Sequence, residues 1–94
     1  MSDKSVTIDV VIVNPQGVHL RPADLLAKLA NRYKAEIFIV KGGEQFDAKS
    51  VLSLLTLAAV QGTQLTLKAT GEDADAAVAA MAELVAQGFG EMES

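Results

Sequence analysis

Residues 14–30, NPQGVHLRPADLLAKLA, contain the point at which the chain changes its period, and that change decides the fold. Upstream, SVTIDVVIVN (residues 5–14) is β-branched and alternating. Val6, Ile8, Val10 and Ile12 share one face and Thr7, Asp9, Val11 and Val13 the other, the pattern of a strand. NPQG then supplies a turn. From His19 to Asn31 the spacing becomes helical, with Pro22, Leu26, Leu29, Ala30 and Tyr33 recurring along one apolar stripe. Pro22 dates the start of that helix. Proline is tolerated only in the first turn, where its missing N–H would go unbonded anyway, so the helix begins close to His19. Asp24 and Lys28 sit four apart on its wet side, where they can pair weakly.

Further along, EIFIV (36–40) reads as a second strand, KGG as a turn and QFDA as a short third strand closing a hairpin. KSVLSLLTLAAVQG suggests a short helix with Ser50 as its N-cap. TQLTLKAT alternates Leu65, Leu67 and Ala69 inward as a fourth strand. EDADAAVAAMAELVAQG is a strong helix, acidic in its first turn, with Ala77, Met81, Leu84 and Val85 as its buried stripe and Gly88 as its stop. FGEMES is expected to fray. The order β-α-β-β-α-β-α predicts an α+β open-faced sandwich: a four-stranded antiparallel sheet covered on one face by helices.

At 94 residues the chain is expected to form one domain over 1–94. Half the residues are hydrophobic and 21% charged, which fits a packed globular protein. Only 4% are aromatic, so Val, Leu, Ile and Ala must build the core. The absence of cysteine excludes disulfides and thiolate metal ligands, and with a single histidine no structural zinc site is expected. A net charge of −4 argues against a nucleic-acid partner. No signal peptide and no membrane-spanning run are evident, so a soluble, cytoplasmic protein is expected.

The only histidine, His19, falls where the helix starts. Unpaired N–H groups of a first turn and the positive end of the helix dipole favour an anion there. A ring nitrogen at that place can act as a nucleophile, and a phosphoryl group accepted on it would sit where negative charge is best held. Arg21 is close enough in sequence to reach the same anion. Phosphoryl transfer needs mainly positioning and charge stabilisation, which this short segment can supply. There is no Walker loop or Gly-rich nucleotide fingerprint, and no second candidate base is evident beside His19. On local context alone, a lone histidine near a helix start is usually a surface residue, and an arginine such as Arg21 is more often a solvated charge than an anion clamp.

GVHLRPA resembles the active-site signature of the HPr family, the histidine-containing phosphocarriers of the bacterial sugar phosphotransferase system; Gly17, His19, Arg21, Pro22 and Ala23 match it. The likeness continues through FDAKSVLSLLTLAAVQGTQLTLKATGEDADAAV and covers nearly the whole chain after its first residues. The resemblance implies that His19 accepts a phosphoryl group from phosphorylated enzyme I, itself charged by phosphoenolpyruvate, and passes it to an enzyme IIA domain. It implies that Arg21 stabilises the group in transit, with Gly17, Pro22 and Ala23 supporting the turn. The protein is then a covalent carrier more than a stand-alone enzyme, monomeric and without a cofactor. Ser50 matches the position at which some relatives carry a regulatory phosphoserine, which would add a serine kinase/phosphorylase and regulators to the partners; its other role is the cap. Leu20, Leu52 and Leu55 could form an exposed docking patch, although Leu55 could equally be core. Lys28, Arg32 and Lys49 could rim the site for acidic partners. Two alternatives stay open: the nitrogen-regulatory paralogue, which KSVLSLL and QGFGE also echo, and an interaction module that has lost phosphotransfer.

Overall fold

The structure, a computed structural model, describes residues 4–92. Four strands, β1 (Ser5–Val11), β2 (Glu36–Lys41), β3 (Glu44–Asp47) and β4 (Gln64–Thr70), form one sheet in the order β1-β4-β2-β3. Every pairing is antiparallel. Three α-helices, α1 (Leu20–Ala30), α2 (Val51–Leu55) and α3 (Ala74–Ala86), follow in the predicted order, and a short 3₁₀ turn covers Gly88–Gly90. The open-faced sandwich expected from the alternation is the observed fold.

The register shows why one face is covered. Leu67 of β4 stands opposite Ile8 of β1 and Ile39 of β2, and Ile39 stands opposite Phe46 of β3. That row, with Ile37, Leu65 and Ala69, points toward the helices, and all but Ile8 are buried. Helix α1 contributes Pro22, Ala23, Leu26, Ala27 and Ala30, while α3 contributes Ala74, Ala77, Val78, Met81 and Val85. The exception lies at the edge of the sheet. Ile8 stays 40% exposed because β1 is an edge strand, and a shallow cleft opens between it and Ala82 and Ala86.

Two loops depart from regular structure in ways that matter later. Strand β1 ends at Val11, but Ile12 remains buried, its N–H donating to Thr63 O at 3.0 Å and its carbonyl accepting from Gly62 N at 2.7 Å. The expected fraying after α3 is not observed. Gly88, Phe89 and Gly90 take φ of +62°, +58° and +73°, and Phe89 is 1% exposed. A single aromatic ring entering the core outweighs the tendency of a chain end to fray. Ser94 and its neighbour at 93 lie outside the described residues.

Candidate functional site

His19 is the N-cap of α1, with extended backbone (φ −88°, ψ −165°) and no hydrogen bond from its side chain to the helix. Its carbonyl accepts from Ala23 N at 3.0 Å, so the first turn closes on it. Pro22 and Ala23 are buried and seat that turn in the core. The turn before it is set by Gly17 at φ +68°, a conformation that disfavours any side chain. Space imposes the same limit: a β-carbon there would fall 2.3 Å from Ala59 O. Val18 N donates to that same carbonyl at 2.9 Å. The histidine turn is therefore held on the loop that follows α2. That loop includes Ala58 at φ +54°, steadied by Lys41 Nζ, which donates to Leu57 O at 3.0 Å and Ala58 O at 3.3 Å.

The imidazole is about one-third exposed, and its Nε2 lies 3.0 and 2.9 Å from the two oxygens of Glu91. Arg21 donates from Nη1 to Phe89 O at 2.7 Å and to Glu91 Oε2 at 3.2 Å. Asn14, fully buried, donates from Nδ2 to Gly17 O at 2.7 Å and to Glu91 Oε1 at 3.0 Å, while its Oδ1 has no partner among the described residues. Burial pushes the Glu91 carboxyl up, but the hydrogen bonds from His19, Asn14 and Arg21 outweigh that and hold it below the usual glutamate range. It is a carboxylate at neutral pH, and a carboxylate can only accept. In the neutral imidazole, Nε2 therefore carries the proton and the lone pair is on Nδ1. No hydrogen bond to Nδ1 is made among the described residues.

The structure brings His19 and Arg21, which the sequence singles out, together with Asn14 and Glu91, which it does not, and the carboxylate of Glu91 corrects the expectation of no second candidate base beside His19. The one available signal lay in Gly88-Phe89-Gly90, a large apolar residue between two glycines that can turn the chain back.

Leu20, Leu52 and Leu55 are 63%, 78% and 40% exposed, so Leu55 is not core. Ser50 caps α2 by accepting from Ser53 N at 3.1 Å. It is not brought to His19. Asn31 Nδ2, at the far end of α1, donates to Lys49 O at 3.0 Å, and Lys49 Nζ to Tyr33 O at 2.8 Å. Ser50 thus lies toward the opposite end of a helix about 16 Å long. Lys28 pairs with Asp24 at 3.0 Å and Lys49 ties two loops together, so of the three proposed rim cations only Arg32 has no polar partner among the described residues. No helix of the described residues is long and apolar enough to cross a membrane.

A family profile described as "PTS HPr component phosphorylation site" matches residues 6–87. Among curated proteins, Phosphocarrier protein HPr of Haemophilus influenzae is 43% identical over 77 residues, 82% of this chain and 91% of its own. Phosphocarrier protein NPr of Shewanella violacea is 46% identical over 82 residues, 87% of this chain and 90% of its own. A crystal structure of HPr-C-His from Thermoanaerobacter tengcongensis superposes with a TM-score of 0.85 at 34% identity, covering 96% of this chain and 99% of that one. An HPr-type sandwich carrying a histidine at the N-cap of its first helix, matched by profile, by sequence and by structure, leaves one conclusion: the chain belongs to the HPr family and is a phosphocarrier of the phosphotransferase system.

Proposed function

We propose that Nδ1 of His19 is the atom that carries the phosphoryl group, received from phosphorylated enzyme I and delivered to an enzyme IIA domain in sugar uptake. The observation that carries this reading is the division of labour on the ring: Nε2 is taken up by Glu91, and Nδ1 keeps a lone pair beside the start of α1. The N–H groups of the first turn and the positive end of the helix dipole favour the incoming anion, an effect of roughly 0.3–1 kcal/mol at an exposed terminus. Arg21, 54% exposed, is the cation that meets the phosphoryl oxygens, exchanging its present acceptors for them. The chain works as a single domain and as a monomer in the cytoplasm.

Docking falls to Leu20, Leu52 and Leu55. Their exposure on adjoining helices supports an apolar contact with both partners, in which the shared patch forces delivery to follow release of the donor. Ser50 is the candidate for regulatory phosphorylation by a serine kinase. A dianion at the N-cap of α2 would alter the docking face from one end and leave the His19 chemistry untouched.

The test is a two-step transfer. The protein is charged with phosphoenolpyruvate and a sugar-system enzyme I, repurified, and mixed with a IIA domain. The reading expects label to appear on the IIA domain as it leaves this chain. Charging only by a nitrogen-system enzyme I would move the protein to that branch, and charging by neither would remove the carrier reading.

A further inference from the structure

We propose that Glu91 is the positioning residue of His19: its carboxylate keeps the proton on Nε2 and opposes the positive charge that the ring bears while it carries a phosphoryl group. The inference rests on the carrier reading above and assigns the C-terminal segment a part in it.

The segment is built for that contact. Three successive residues with left-handed backbone, Gly88 to Gly90, reverse the chain after α3, and the buried ring of Phe89 pins the reversal to the core. Glu91 N closes the turn on Gly88 O at 2.9 Å. The side chain then meets three donors at once, His19 Nε2, Asn14 Nδ2 and Arg21 Nη1, all within 3.2 Å. Asn14 is the more telling of the last two. It is fully buried, and the same amide nitrogen also holds Gly17 O, so one group fixes both the histidine's turn and the carboxylate that faces its ring.

The chemistry explains why such a contact is useful. In the acceptance step the Nδ1 lone pair forms the N–P bond as the bond between phosphorus and the donor's leaving group breaks, with its electron pair staying on the donor. No proton leaves the ring, so the phosphorylated imidazole retains the Nε2 proton and one positive charge, directly opposite Glu91. In the delivery step the N–P bond breaks, its pair returns to Nδ1, and neutral imidazole departs. Had Nε2 lost its proton in the meantime, the departing group would be an imidazolate, a far poorer leaving group. A carboxylate at Nε2 thus assists both directions, in the way a buried acid orients the histidine of a catalytic triad. The groups facing this carboxylate are His19 at the N-cap of α1, Arg21 from α1 and Asn14 from the loop after β1.

Spontaneous hydrolysis of the phosphohistidine reads the ring directly, because it involves no docking partner. The full-length protein and its E91Q, E91A and E91D variants are loaded with phosphoramidate, a chemical donor that bypasses enzyme I, and the loss of phosphate at fixed neutral pH is followed by 31P NMR. With the carboxylate gone, the phosphohistidine should live roughly ten- to a hundredfold longer, the worth of one charge-assisted hydrogen bond, and E91D should recover part of the difference. E91Q is the decisive variant, since it keeps the shape and an acceptor oxygen but not the charge. A lifetime for E91Q equal to or shorter than that of the wild type overturns the proposal, because a purely structural tail would tolerate that change. Failure of phosphoramidate to label the wild type overturns it as well, since Nδ1 would then not be the available nucleophile. Loading by phosphoramidate together with refusal by both the sugar-system and the nitrogen-system enzyme I would sink the carrier reading while leaving the Glu91 comparison intact.

Discussion

Val18 N donates to Ala59 O at 2.9 Å, and through that bond the turn that presents His19 is laid against the loop that follows α2. The two segments are some forty positions apart in sequence and form one scaffold in space. Gly17 is the residue that permits so close an approach, because its missing side chain leaves room for the Ala59 carbonyl.

Substitution of Gly17 therefore tests the scaffold. Gly17→Ala would drive a β-carbon into a backbone oxygen at a positive φ, where neither atom can yield cheaply. We expect a loss of about 2–4 kcal/mol, combining overpacking with left-handed strain, and slower charging of His19 in whatever fraction stays folded. Urea denaturation gives the first and a timed charging reaction the second. An unchanged midpoint would show that the loop is freer than described.

Ala58 offers the opposite experiment on the same loop. It is an exposed non-glycine residue at φ +54°. Ala58→Gly should stabilise the protein by about 1 kcal/mol, raising Tm by about 4–8 °C for a chain of this size. A fall in Tm would mean that the unfolded-state entropy of glycine outweighs the strain.

At α2 the expected cost is that of a cap. Ser50→Ala removes the acceptor of the Ser53 N–H and should cost about 1 kcal/mol by thermal denaturation, while charging of His19 proceeds as in the wild type. Slowed charging in the alanine variant would place Ser50 nearer to the transfer step than its position toward the far end of α1 allows.

The pH dependence of stability follows from two carboxylates. The Asp73 carboxyl is lowered chiefly by the Lys34 N–H, with that of Ala35 assisting and burial opposing, and the Glu91 carboxyl is lowered despite burial by its three donors. In both cases the unfolded chain takes up the proton first as pH falls. Their contribution is thus complete above the ordinary carboxylate range and is lost as pH drops through the lower folded values. Comparing wild type with Glu91→Gln isolates one of them: the wild type should be the more stable by on the order of 1 kcal/mol near neutrality, and the gap should close in acid. A gap that widened in acid would contradict the assignment of Glu91 as a charged acceptor.

The sequence was most informative where period and chemistry coincide. Alternation in residues 5–14, the shift to helical spacing at His19 and the position of Pro22 placed the start of α1 to within a residue, because proline and unpaired N–H groups leave few places for a helix to begin. His19 and Arg21 were legible for the same reason. Glu91 and Asn14 were not, since their roles depend on a reversal of the chain after α3 that brings residues about seventy positions apart into contact. Read locally, FGEMES is a chain end that should fray; only the core shows that Phe89 has a place to go.

The most direct measurement of the central claim is the intact mass of the protein and of His19→Ala after incubation with phosphoenolpyruvate and enzyme I. The account predicts one added phosphate on the wild type, lost in acid and retained in base, and none on the variant. Equal labelling of the two proteins, or a phosphate that survives acid, would contradict it.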